Sequence, residues 1–162
     1  MPQEYFEIVF RLVAALAAGG LIGLERSHRG RPAGFRTHAL VCLASSLLML
    51  VTVYESLWMP KTVAANVVLD PTRMAQGIMT GIGFVGAGAI IKEGFSVRGL
   101  TTAASIWVTA CLGVAFGTGM WRTALAALGL TFIVLLLGGT VEDVASRALK
   151  GRQRPEGWEE HD

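Results

Sequence analysis

The sequence predicts an all-α membrane protein: a polytopic helix bundle with about five transmembrane helices, the N-terminus outside and the C-terminus in the cytoplasm. Hydrophobic residues make up 52% of the 162 residues and charged residues only 16%, whereas a soluble domain carries about 25% charged residues. The charges gather between long apolar blocks, as a membrane-spanning chain requires, because a charge at mid-bilayer is costly. The net charge of +2 is too small to indicate nucleic-acid binding.

Five apolar blocks approach the roughly 20 residues that a spanning helix needs. They cover residues 6–24, 38–57, 72–91, 100–117 and 121–139. We therefore assign residues 1–139 to a transmembrane helical domain and residues 140–162 to a short cytoplasmic tail. The first block lacks a preceding basic segment and a convincing cleavage site, which indicates a retained helix rather than a signal peptide.

Lysine and arginine are distributed unevenly between the connecting segments. Ten of them fall in segments that share one side of a five-span arrangement: Arg26, Arg29, Arg31, Arg36, Lys92, Arg98, Arg147, Lys150, Arg152 and Arg154. The opposite side carries three: Lys61, Arg73 and Arg122. The positive-inside rule then places the N-terminus outside. A four-span arrangement would mix the two groups, so the count favours five spans.

In the first block, a stripe at helical spacing has a basic residue near one end and an acidic residue at the other. It consists of Arg11, Ala15, Ala18, Ile22 and Glu25. Either Arg11 reaches the outer surface and Glu25 the inner boundary, or the stripe faces the bundle interior with each charge paired. We expect Glu25 to be paired, with Arg36 and Arg98 among its candidate partners.

The third block contains the stretch GIGFVGAG, which matches the G-x-G-x-x-G pattern of a dinucleotide-binding turn. Such a turn needs a strand before it and an acidic residue about 20 residues after it. Here Asp70 and Pro71 predict a helix N-cap and first turn upstream. No aspartate or glutamate lies between Glu93 and Glu142. The pattern therefore does not indicate a nucleotide site.

The glycines favour close helix packing instead, because lipid supplies no hydrophobic force between helices and small residues let backbones approach. Gly77, Gly81 and Gly88 share one face of the third helix. Gly83 and Gly86 lie on the other side, which predicts a central helix packed by two neighbours. A helix broken at mid-membrane that exposes backbone groups to an ion is the alternative. Similar pairs recur in the first and fourth blocks, and we expect them to support a homodimer: Gly19 with Gly23, and Gly113 with Gly117.

The fourth block carries hydroxyl side chains within about one third of the helix circumference. They indicate interhelical hydrogen bonding, the wall of a polar cavity, or both. We expect a polar cluster at the cytoplasmic end of the bundle, because unpaired charges near hydrocarbon are expensive. Its candidate members are Glu25, Arg26, Arg36, Arg98, Thr101 and Thr102. The cluster either receives a partner's charged side chain or an anionic headgroup, or acts only as a clasp between helices.

Asp70 and Arg73 flank the outer end of the third helix. Capping accounts for Asp70, and a cation site there would need more oxygen ligands than one carboxylate. We predict no catalytic arrangement, metal site or cofactor. The basic residues at positions 147–154 are expected either to attract anionic lipid at the cytoplasmic leaflet or to be solvated.

Three stretches together are similar to one family: GLERSHRGRPAGFRTHAL, DPTRMAQGIMTGIGFVGAGAIIKEG and VRGLTTAASIWVTACLGVAFGTG. In order and approximate spacing they resemble the MgtC/SapB family of bacterial inner-membrane proteins, over most of residues 20–119. The resemblance implies a multi-pass protein linked to growth at low Mg²⁺ and to survival of pathogens in host cells. It also implies a regulatory, non-enzymatic role through another inner-membrane protein, because one member is reported to act on the ATP synthase. A transporter or channel for a cation or small solute is the alternative.

The virulence-associated members carry a cytoplasmic C-terminal domain. Only about 20 residues follow Gly139 here, which is too few for a folded domain. The resemblance therefore extends to the membrane core, and functions of that domain are not carried over.

Overall fold

The computed structural model describes residues 2–54, 57, 59 and 70–152, with side chains up to residue 138. Over this part the chain forms five helices and one β-hairpin, which confirms the predicted all-α membrane bundle. The helices are α1 Pro2–His28, α2 Phe35–Val53, α3 Pro71–Gly88, α4 Leu100–Gly117 and α5 Trp121–Arg152. Of the residues named above, Lys61 and Arg154 lie outside the described residues, as do the side chains of Arg147, Lys150 and Arg152.

Four of these described helices, α1, α2, α4 and α5, are long and apolar enough to cross a membrane. The glycine-rich α3 is not among them, and its first turns carry the polar residues Thr72, Arg73 and Gln76. In a five-span arrangement, α3 therefore has to cross the membrane while packed against neighbouring helices. The orientation of the N-terminus stays a prediction.

Helices α1, α2 and α4 pack against one another, and α2 makes extensive contacts with both of the others. The contacts are close because glycines on α1 and α4 face the backbone of α2. A Cβ added at Gly23 would lie 2.6 Å from the Cα of Phe35, and one at Gly117 would lie 2.7 Å from the carbonyl oxygen of Ser46. Gly19 and Gly113 approach the backbone of α2 in the same way. Both glycine pairs that we expected at a dimer interface thus pack against α2 of the same chain.

Helix α3 packs against α4 and, less extensively, against α2. It is continuous from Pro71 to Gly88, so the described structure has neither a nucleotide-binding turn nor a mid-membrane break there. Of its glycines, Gly86 packs on Ala103, at 3.6 Å from an added Cβ to the Cβ of Ala103. The others face open space within the described structure, so α3 is not the central helix that the sequence predicted: Gly77, Gly81, Gly83 and Gly88.

A short antiparallel hairpin joins α3 to α4, where the sequence predicted the end of a span and a loop. Its strands are β1 Ile91–Glu93 and β2 Ser96–Arg98, with Ile91 opposite Arg98. Gly99 follows with a φ of +88° and passes so close to the carbonyl of Ala89 that no side chain fits. This glycine ends the hairpin and lets α4 begin at Leu100.

Helix α5 extends through Arg152 and so includes residues from position 140 onward that we assigned to the tail. The first compact unit of the chain ends at Leu128, and the rest of α5 belongs to a second unit. Within the first unit, the ring of Trp121 packs against Phe10 and Phe116, with centroid separations of 5.1 and 5.6 Å.

Candidate functional site

The stripe on α1 faces the bundle interior, the second of the two arrangements considered above. Its central residues Ala15, Ala18 and Ile22 are buried. The charged residues at its ends are also largely withdrawn from solvent, with 12% of the Arg11 side chain and 8% of the Glu25 side chain exposed. The charged residue at each end of the stripe therefore needs polar partners. The partners differ between the two ends.

At the start of α1, Arg11 joins three helices in an arrangement that we call the N-terminal clasp. Its Nη1 donates to the carbonyl oxygen of Gly117 at 3.0 Å, and its Nη2 donates to Oε2 of Glu7 at 2.9 Å. The guanidinium lies over the ring of Tyr54, 5.4 Å from the centroid, and the Tyr54 hydroxyl donates to Glu7 at 3.2 Å. The clasp thus pairs the charge of Arg11, while the buried Nε of Arg11 has no hydrogen-bond partner in the described part of the chain.

At the other end of α1, Arg26 is buried between α1 and α4. Its Nη2 donates to Oγ1 of Thr102 at 2.8 Å, and only 4% of the residue is exposed. Its Nε is also buried, but it has no hydrogen-bond partner in the described part of the chain. The structure thus brings together two of the six predicted cluster residues across a sequence separation of 76 positions.

A fully buried histidine from α2 extends this group. His38 Nδ1 lies 3.1 Å from the carbonyl oxygen of Gly34, and its Nε2 lies 3.1 Å from Oγ of Ser105. Because a carbonyl only accepts, Nδ1 carries the hydrogen, and in a neutral ring Nε2 accepts from the serine hydroxyl. That hydroxyl also lies 2.8 Å from the carbonyl oxygen of Thr102. Its single hydrogen therefore serves one acceptor at a time.

Glu25 pairs along its own helix. Its Oε1 lies 2.6 Å from Nε of Arg29, whose side chain is 38% exposed. Neither carboxylate oxygen accepts a hydrogen bond from a described residue, although both are buried. The carboxylate is thus paired with Arg29 through Oε1, whereas its Oε2 and the Nε of the adjacent Arg26 have no hydrogen-bond partner in the described part of the chain.

The other predicted members lie outside this group, and all three are exposed: Arg36, Arg98 and Thr101. Within the described residues, no hydrogen bond or ion pair joins them to Glu25 or Arg26. Arg98 is part of the hairpin rather than of α4, because the helix begins only after Gly99. Thr101 is next to Thr102 and therefore points about 100° away from it around the helix.

Asp70 and Arg73 lie at the start of α3. Oδ1 of Asp70 accepts from the backbone N–H and the hydroxyl of Thr72, at 2.8 and 2.7 Å, as the predicted N-cap. These hydrogen bonds hold the pKa of the Asp70 carboxyl below its ordinary value. Nε of Arg73 lies 3.8 Å from Oδ2 of Asp70 in an exposed ion pair. No group of three histidine, cysteine, aspartate or glutamate side chains among the described residues could hold a metal ion.

We name the group formed by Glu25, Arg26, His38, Thr102 and Ser105 the buried polar cluster. Two members, Ser105 and His38, were not among the predicted cluster residues, and His38 is the first residue of the second apolar block. Its position at the start of the second apolar block was the available signal, because a histidine inside an apolar helix needs polar partners.

The fold and the cluster together define a small membrane protein whose helices pack through glycines around a polar group at one end of the bundle. The chain belongs to the MgtC family, whose profile matches residues 12–144. It is 43% identical over 129 residues to the putative magnesium transporter YhiD of Escherichia coli K12, covering 80% of this chain and 59% of YhiD.

Two further relatives extend this comparison. Identity to the protein MgtC of Salmonella typhimurium is 41% over 142 residues, which cover 88% of this chain and 55% of MgtC. The protein SrpB of Synechococcus elongatus is 38% identical over 148 residues, covering 86% of this chain and 78% of SrpB. The chain thus spans somewhat over half the length of YhiD and MgtC. No solved structure matches the chain.

Proposed function

We propose that this chain is a non-enzymatic regulatory protein of the bacterial inner membrane. In this proposal it supports growth at low Mg²⁺, or survival in host cells, by binding another membrane protein such as the ATP synthase. Family membership supports the physiological setting, and the family resemblance supplies the choice of partner. The described fold adds a reason to prefer binding over transport.

The observation that carries the proposal is how closely α2 packs against α1 and α4. The positions of Gly23 and Gly117 leave no space for a side chain, so the helix backbones approach each other directly. A hydrated ion does not fit between backbones at this separation. A divalent cation would also be expected to need several oxygen ligands, and Glu25 lies at the end of the bundle rather than along it.

Helix α3 supplies a surface on which a partner helix would pack. The positions of Gly77, Gly81 and Gly88 face open space within the described structure, and 84% of Phe84 is exposed between them. Small residues allow a neighbouring helix to approach closely in a membrane. A second copy of the chain would use the same face, so the proposed homodimer forms through α3 rather than through α1 or α4.

A leucine at Gly81 tests the proposal, because it places a large side chain on the free face, where an added Cβ meets no described atom within 4 Å. We expect Gly81→Leu to accumulate in the membrane normally and to lose growth support at low Mg²⁺ in a strain that lacks its own family member. Gly83→Leu is the matched control, since Gly83 also faces open space within the described structure but lies on the other side of α3. Full growth support by Gly81→Leu would contradict binding through α3.

Transport of a cation or small solute is the second candidate. It is favoured by the unpartnered buried atoms of Glu25 and Arg26 and by the name of YhiD as a putative magnesium transporter. Flux of Mg²⁺, protons and K⁺ into proteoliposomes that contain the purified protein decides between the candidates. A flux that Glu25→Gln abolishes would replace the regulatory proposal with transport.

A further inference from the structure

Near the C-terminal end of α1, a buried hydrogen-bond donor and a buried acceptor both lack partners among the described residues. The acceptor is Oε2 of Glu25 and the donor is Nε of Arg26, while Oε1 of Glu25 lies 2.6 Å from Nε of Arg29 in an ion pair. Native proteins pair buried polar groups with protein, water or ligand. A simple cation would satisfy only the carboxylate and a simple anion only the guanidinium. The atoms therefore indicate a ligand that both donates and accepts.

The charges around these atoms indicate that the ligand is a zwitterion. Glu25 is the only acidic residue in the stretch ERSHRGR, which also contains Arg26, Arg29 and Arg31. A cationic group is attracted to the carboxylate, and the surplus of arginine attracts a negative group beside it. Arginine binds phosphate through charge-assisted hydrogen bonds. An ammonium group linked to a phosphate meets both demands.

The depth of the site favours a lipid headgroup as the source of these groups. Helix α1 is long and apolar enough to span a membrane and ends at His28, so Glu25 and Arg26 lie in its last turn. The ends of a spanning helix lie at the level of the lipid headgroups. We propose that the buried polar cluster binds a phosphoethanolamine group, with the ammonium on Glu25 and the phosphate on Arg26 and Arg29.

Arg29 marks the path by which the ligand reaches the carboxylate of Glu25. Its guanidinium lies against Oε1 of Glu25, and its side chain is partly exposed. When the ligand enters, the ammonium replaces Arg29 at the carboxylate, and Arg29 turns to the phosphate. The charges stay paired throughout this exchange, and Arg26 keeps its hydrogen bond to Thr102. The exchange predicts that the N–H donors of the headgroup, and not its charge alone, decide the affinity.

The experiment compares three phospholipids of equal chain length, which carry ethanolamine, choline or glycerol headgroups. The purified full chain is delipidated in detergent and titrated with each lipid, and bound lipid is counted by native mass spectrometry. Because choline has the charge of ethanolamine but no N–H donor, we expect the ethanolamine lipid to bind at least about tenfold more tightly than either of the others. Glu25→Gln removes this preference. Glu93→Gln, which neutralises an exposed acid on the hairpin, retains it.

Soluble glycerophosphoethanolamine distinguishes the two sources of the ligand. Competition with the lipid at equal concentration assigns recognition to the headgroup alone, and failure to compete assigns it to the intact lipid. Equal affinity for the three lipids, or a preference that survives Glu25→Gln, overturns the proposal. Loss of growth support in Glu25→Gln without any lipid preference in the unmodified chain also overturns it, in favour of a basic side chain of a protein partner.

A series of N-methylated headgroups gives the same answer without a variant. Affinity should fall at each step from ethanolamine to choline as N–H donors are removed, and a flat series overturns the proposal even if Glu25→Gln does not fold. The lipid preference is independent of the proposed regulatory function. Gly81→Leu tests that function on α3 and leaves the headgroup site unchanged.

Discussion

Nη1 of Arg11 donates a hydrogen bond of 3.0 Å to the carbonyl oxygen of Gly117, a residue 106 positions later in the chain. This carbonyl belongs to the last turn of α4, where a cation is favourable because the carbonyl oxygens of the last turn lack helical partners. The same guanidinium is bound to Glu7 and lies over Tyr54. One side chain therefore fixes the positions of α1, α2 and α4 at this end of the bundle.

Replacing Arg11 should destabilise the bundle. We expect Arg11→Met to lower the free energy of unfolding by about 1.5–3 kcal/mol, since it removes hydrogen bonds from a charged group. Arg73→Met is the control, because the Arg73 side chain is 86% exposed and an exposed ion pair contributes about 0–1 kcal/mol. Denaturant unfolding in detergent micelles measures both. Equal losses would contradict the clasp.

Two adjacent threonines provide a matched pair for the buried polar cluster. Thr102→Val leaves the buried guanidinium of Arg26 without its acceptor, which should cost about 1–3 kcal/mol of unfolding free energy. Thr101→Val makes the same chemical change at an exposed position and should be nearly neutral. If unfolding in detergent gives the same stability for both variants, Arg26 does not depend on Thr102.

The glycines of α1 and α3 should respond differently to a large side chain. Gly23→Leu forces α1 away from the backbone of Phe35, and such overpacking typically costs about 1–3 kcal/mol. Gly77→Leu enters open space among the described residues and should leave the unfolding midpoint in detergent unchanged. A large loss of stability in Gly77→Leu would indicate that another segment of the chain, or a second copy, covers α3.

The membrane orientation can be tested directly. The excess of lysine and arginine on one side predicts an N-terminus outside the cytoplasm. A cysteine placed at Gln3, in a chain with Cys42 and Cys111 replaced by alanine, should react with a membrane-impermeant maleimide in intact spheroplasts. A cysteine at Phe95, an exposed residue of the hairpin turn, should react only after lysis. The reverse pattern would show that the chain has the opposite orientation.

The first turn of α3 should depend on pH through its cap. The pKa of Asp70 is lowered by the hydrogen bonds from Thr72, so the folded state favours the carboxylate. The cap therefore contributes fully above the ordinary pKa of 3.8 and is lost as pH falls through the lower, folded value. Amide exchange in residues 72–74, compared between the unmodified chain and Asp70→Asn and corrected for intrinsic rates, should differ at pH 6 and converge in acid. A difference that persists at the lowest pH would contradict this.

The helices could be predicted from the sequence because apolar block length and the Asp70–Pro71 cap are local signals. The residues that Arg26 and Glu25 contact could not be predicted in the same way. Arg98 shares the helical period of Thr102 in sequence, yet the positive φ of Gly99 removes it from the helix. Periodicity alone does not show where a helix starts when a short hairpin precedes it.

The residues that each glycine face contacts also could not be predicted from the sequence. Gly19 and Gly77 have the same chemistry, but one meets the backbone of α2 and the other meets no described residue. Which face is used depends on helix order and rotation, and these are set by long-range contacts such as Arg26 to Thr102. The inward position of His38 depends on the same arrangement.

The separation in sequence of these contacts sets an order of assembly. The connection between α1 and α2 is short, and Gly19 meets His38 as soon as the second helix is made. The acceptor for Arg11 is synthesised only at Gly117, after three further helical segments have left the ribosome, and chains are made from the N-terminus onward. Until then, Arg11 lacks one of its hydrogen-bond acceptors. The clasp can therefore close only after the chain has been synthesised through the end of α4, and a chain truncated before Gly117 lacks one of the acceptors that Arg11 uses.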